Sequence, residues 1–103
     1  MSLNRPSSME HFDRSGTIDA PDATDPKPQV VFPRHPQRIG LHFQNQGTHD
    51  MFLVVVQSKP ENTPTRFKVV PGELWYHDQF APLNEVRVEG TPGDLFAASE
   101  FGI

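Results

Sequence analysis

A chain of 103 residues with net charge −4 and no cysteine suits one small domain and excludes disulfides and thiolate metal sites. Its 9 basic residues are scattered rather than clustered, so there is no phosphate-tracking footprint and no nucleic-acid partner is expected. The longest apolar run, "MFLVVV" (51–56), is too short to cross a bilayer, and no membrane partner is expected either.

A domain this short has little core to bury, so association with other chains is the expected source of extra stability. The N-terminus has no apolar stretch of signal-peptide length, and export by a cleaved signal is not expected. With 11 Pro, 7 Gly and a lean towards Val and Phe, the composition favours short strands and turns.

Residues 1–28 read as an N-terminal arm. The stretch "DRSGTIDAPDATDPKPQ" is small, acidic and Pro-rich, with little to bury against its ordering entropy. Met9, Phe12 and Ile18 are its anchors, with Leu3 beside them. Two readings stay open: a disordered tail, or an extended segment that orders on a neighbouring subunit. Fully extended, such an arm would reach up to about 80 Å.

From Gln29 to residue 103 the pattern is that of strands. "QVVF" is short and is stopped by Pro33 and Pro36. "RIGLHFQNQG" alternates Ile39, Leu41 and Phe43 against Arg38, Gly40, His42 and Gln44, then ends in turn chemistry. In "MFLVVV", Met51, Leu53 and Val55 face one way and Phe52, Val54 and Val56 the other. Both faces are apolar, so this strand is covered on both sides or lies under a partner. "RFKVV" alternates next, and Pro71-Gly72 suits a tight turn with positive φ at the glycine. "ELWYHDQF", "EVRVEG" and "DLFAASEF" follow, separated by "APLN" and "GTPG". The expected fold is all-β: a small antiparallel sandwich or barrel of six to seven strands, jelly-roll-like, over residues 29–103.

No catalytic constellation stands out, and a non-enzyme is expected. His42 and His77 meet across adjacent strands if those strands pair, with Asp50 or Asp78 near, but the bland reading makes both histidines surface residues. His77 and Asp78 are consecutive and should point to opposite faces. No Ser sits in a nucleophile elbow, and "GTPGD" lacks the Lys and helix of a phosphate loop. No metal or cofactor is expected. Trp75 faces either the core or the surface. In the second case it would join Phe52, Val54 and Val56 as an interaction surface for protein or glycan.

The order "RIGLHFQNQG", "MFLVVV", "VVPGELW" and "EVRVEGTPGDLFAASE", over about residues 37–101, resembles that of small virion proteins from tailed bacteriophages. The resemblance is one of strand-and-turn pattern, and "SKPENTPT" departs from the Gly/Ser-rich loop common there. It implies a capsid decoration (cement) protein, assembled in the host cytoplasm into the virion, binding the major capsid protein or other virion subunits, and homo-oligomeric, often trimeric. A neck or tail component of the same virion, or a carbohydrate-binding module for host attachment, are the alternatives.

Overall fold

The computed structural model describes residues 10–20, 28–57, 64–78 and 81–103. Its strands are β1 (Glu10–Asp13), β2 (Gly16–Thr17), β3 (Gln29–Phe32), β4 (Arg38–Asn45), β5 (Met51–Val55), β6 (Thr65–Val69), β7 (Leu74–His77), β8 (Val86–Glu89) and β9 (Leu95–Gly102). They form two antiparallel sheets. One is five-stranded in the order β1-β9-β4-β7, with β2 also on β9; the other runs β3-β8-β5-β6. This connection pattern is that of an eight-stranded jelly roll whose first strand is broken into β1 and β2 at Arg14-Ser15.

The expected sandwich is therefore present, but it begins earlier than residue 29. β1 and β2 pair along β9, and Ile18 is buried in the core between the sheets. Phe12 is half-buried opposite Glu100. The described part of the expected arm thus belongs to the chain's own sheet. Its composition concealed this because a strand on a sheet edge needs only a few apolar side chains. The long edge of β9 supplies the backbone partners. Met9 lies outside the described residues.

Period-two alternation builds the core. Leu41, Phe43, Met51, Leu53, Val86, Val88, Phe96 and Ala98 point inward from β4, β5, β8 and β9, with Phe32 and Val69 beside them. The rings of Phe43 and Phe96 stack at 5.3 Å across the β4–β9 pair. Both Pro-Gly turns form. Gly72 (φ 84°) and Gly93 (φ 91°) take the positive φ that the second central position requires. The backbone bonds Glu73 N–H to Val70 O and Asp94 N–H to Thr91 O close the two turns.

The alternation in β4 fails at its start. A register shift between Arg38 and Gly40 inserts Ile39 and turns Arg38 inward, not outward with His42 as simple alternation predicts. Arg38 then closes one end of the sandwich. Its Nε donates to Glu100 Oε1 at 2.8 Å. Its terminal nitrogens donate to the carbonyls of Pro33, Asn84 and Pro82. The other Glu100 oxygen accepts from Arg14 Nε at 2.7 Å.

Asn45 closes the opposite end. Its side chain is fully buried, and its Nδ2 donates to His49 O and Val69 O, both at 2.8 Å. Its Oδ1 accepts from Gly47 N–H at 2.9 Å. Beside it, Asp94 Oδ2 accepts from His49 N–H (3.1 Å) and meets His49 Nδ1 (3.0 Å), clasping the β4–β5 loop to the β8–β9 turn.

Candidate functional site

The residues expected to form one interaction surface are dispersed by the fold. Phe52 and Val54 lie on the outer face of the four-stranded sheet. Val54 is only 9% exposed. The Arg66 guanidinium covers Phe52, with Cζ 4.0 Å from the ring centroid, and is held there by Glu89. Arg87 lies opposite Val54 on β8 and pairs with Glu85. The apolar outer side of β5 is therefore roofed by the chain's own long charged side chains, whose stems bury well while their heads stay wet. Val56 stands past the end of β5, half-buried.

Trp75 faces inward. It packs half-buried against the core at the open side of the sandwich, where β6 and β7 are the edge strands of the two sheets. Its ring lies 5.4 Å from that of Phe67 on β6 and 5.1 Å from His77 on its own strand. The residues of β7 that project outward are Leu74 (51% exposed) and Tyr76 (54% exposed).

The most structured surface feature is on the outer face of the five-stranded sheet. Strand register aligns Asp13 (β1), Ser99 (β9), His42 (β4) and Tyr76 (β7) in one row across four strands. Gln44 with Ala97 and Leu74 forms the next row on one side; His11 with Phe101 and Gly40 forms the next on the other. Small side chains at Ala97 and Ser99 leave a trough of about 240 Å³ between β1 and β7. His11, Asp13, Ser15, His42, Gln44 and Leu74 line it.

His42 is held on three sides. Its Nε2 lies 2.8 Å from Asp78 Oδ1, and its ring meets Tyr76 and Phe101 edge-on at 5.9 and 6.1 Å. His77 is not part of this site, because it points to the opposite face. Asp13 Oδ1 accepts from Ser15 N–H at 2.9 Å, and this bond, then the Ser15 side chain, with a smaller contribution from His11, holds its carboxyl below the usual value of 3.8 against a desolvation that opposes them.

Ser99, His42 and Asp78 are residue types used in hydrolytic triads, yet among the described residues no hydrogen bond joins Ser99 to His42, the link on which nucleophile activation depends. Among the described residues no group of three or more His, Asp or Glu is placed to hold a metal ion. The arrangement suits binding: a shallow floor of fixed polar groups beside an exposed aromatic ring. The row is invisible to a linear reading, since Asp13, His42, Tyr76 and Ser99 come from four separate strands.

Fold and surface together define a jelly-roll protein with a polar trough on one sheet and an apolar rim along its open side. The chain matches no protein-family model, no curated protein and no solved structure. The likeness to phage virion proteins thus rests on the strand-and-turn pattern alone.

Proposed function

We propose that the protein is a non-enzymatic structural subunit that attaches to a larger protein assembly through the open side formed by β6 and β7. In its most specific form this is a capsid decoration protein of a tailed phage, bound to the major capsid protein; a neck or tail position in the same virion is the alternative. The observation that carries the reading is the rim. Phe67 (37% exposed) and Val70 (42% exposed) stand at the edge of the sandwich, where β6 and β7 are the edge strands of the two sheets.

Exposed edge strands with apolar side chains are natural templates for association. The roofed face of β5 is the contrasting surface, already covered by ion pairs. Jelly rolls also recur among viral capsid proteins, an analogy of fold that supports the reading without deciding it. Repetition on a lattice would supply the avidity that a rim this small lacks alone.

Light scattering and co-sedimentation with phage heads assembled without this chain test the proposal. The wild-type protein should associate with itself or decorate the heads, and Phe67→Asp with Val70→Asp should abolish both while circular dichroism stays unchanged. A wild-type chain that remains monomeric and leaves the heads bare, or a double variant that binds as well as the parent, overturns it.

A further inference from the structure

We infer that the trough on the five-stranded sheet is a carbohydrate-binding site, taking a neutral sugar ring against Tyr76 and Leu74 and hydrogen-bonding its hydroxyls to Asp13, His42, Gln44 and Ser99. The site is separate from the β6/β7 rim.

A pyranose presents two kinds of surface. Its ring C–H groups make an apolar face that packs on an aromatic or aliphatic side chain. Its rim of hydroxyls both donates and accepts, so it needs partners of both kinds close together. The trough offers this pairing. Leu74 lines it on β7, and Tyr76 stands exposed on the same strand at its border, beside His42. Across the floor lie a carboxylate (Asp13), a hydroxyl (Ser99), an imidazole (His42) and an amide (Gln44).

The polar groups are set in place before any ligand arrives. They sit on paired strands, so their spacing is fixed by sheet register rather than by loops. Asp78, Tyr76 and Phe101 orient His42, committing Nε2 and leaving Nδ1 to meet a ligand. Ser15 N–H fixes the Asp13 carboxylate at 2.9 Å. Gln44 Nε2 reaches Gly72 O only at 3.3 Å, a bond that a better partner displaces.

Charge narrows the ligand class. The lining contains no Lys or Arg, whereas Asp13 lies in it and Asp78 stands beside His42. Phosphates, sialic acids and uronic acids would find no Lys or Arg and would meet carboxylates. A peptide strand would find no sheet edge here, because the trough crosses β9 and β4, which are paired on both sides. With about 240 Å³ of room, the trough lies below the ~300 Å³ lower end of pockets for drug-sized molecules, a size suited to one ring of a chain that continues into solvent.

The test starts with the full chain on an array of neutral and acidic oligosaccharides, built from glucose, galactose, mannose, N-acetylglucosamine, uronic acids and sialic acid. Titration calorimetry with the best neutral oligosaccharide follows. The expected result is binding to a neutral glycan and none to the acidic ones. Tyr76→Ala should weaken it about tenfold through the lost ring contact. Ser99→Val, which fills the floor without disturbing the strand, should weaken it at least as much. Lys68→Ala on the other sheet should leave it unchanged, and so should Phe67→Asp, which separates this outcome from failure at the rim. Amide shifts on titration should centre on Asp13, His42, Gln44 and Ser99. The inference is overturned if no neutral glycan binds, if both trough variants bind like the parent, or if the shifts fall on β6 and the rim instead.

Discussion

Arg38 Nε lies 2.8 Å from Glu100 Oε1, and both side chains are completely shielded from solvent. This pair joins the first residue of β4 to β9 at one end of the sandwich. The same guanidinium also reaches the carbonyls of two loops. Removing one partner of a buried, hydrogen-bonded ion pair strands the other, at a cost of about 3–5 kcal/mol. Glu100→Ala and Arg38→Met should each lower unfolding stability by about that amount in urea titrations. A loss below about 1 kcal/mol for both would show that the network contributes little, as exposed pairs do.

Asn45 should behave like Arg38 at the other end. Asn45→Ala deprives His49 O, Val69 O and Gly47 N–H of their partners in a site with no solvent access at the side chain. Each unsatisfied buried group costs about 1–3 kcal/mol. Asn45→Asp keeps the volume but cannot donate to the two carbonyls, so it should destabilise comparably at neutral pH. Thermal unfolding of the three proteins compares them; an aspartate variant as stable as the parent would refute the assignment of Nδ2 as the bonding group.

The clasp between His49 and Asp94 should fail in acid. Hydrogen bonds from His49, first from its side chain, hold the Asp94 carboxyl below its ordinary 3.8, although desolvation opposes them. A depressed folded value means the unfolded chain binds the proton more readily. The stability this carboxylate contributes is therefore fully present above its unfolded value and is lost as pH falls through the lower folded one. A carbon-detected titration of Asp94 should give a midpoint under 3.8, and Asp94→Asn should flatten the acid limb of the stability curve. A midpoint at or above 3.8 would contradict the clasp.

Gly102 tests the packing of β9 against the turn before β4. A Cβ built there would lie 2.3 Å from Gln37 O, which is backbone and cannot swing aside. Gly102→Ala should cost about 1–3 kcal/mol, the usual penalty of overpacking. Gly72→Ala is the informative contrast, since its Cβ meets nothing and the loss there comes from positive φ alone. Equal wild-type stability in the Gly102 variant would mean that the turn yields.

The strands of the sandwich were legible because its apolar alternation is nearly unbroken from "RIGLHFQN" to "DLFAASEF", and Pro71-Gly72 marks one of its turns by steric necessity. The first strand was not legible. Glu10–Asp13 and Gly16–Thr17 carry too little apolar surface to signal a strand, and they form one because β9 offers them an edge. Trp75 stayed ambiguous for a different reason: period two assigns residues to alternate faces but never says which face is the inside.

What the sequence determined by itself is the material: strands, turns where Pro and Gly stand, and a core drawn from Val, Leu, Met and Phe. Those follow from short-range sterics and from periodicity, which neighbouring residues fully specify. Tertiary structure alone decided that Ile39 bulges and sends Arg38 inward to Glu100, that charged stems roof β5, and that Asp13, Ser99, His42 and Tyr76 meet in one row. Each of these depends on strand register and sheet order, which are set by contacts between residues distant along the chain and so leave no local mark in it.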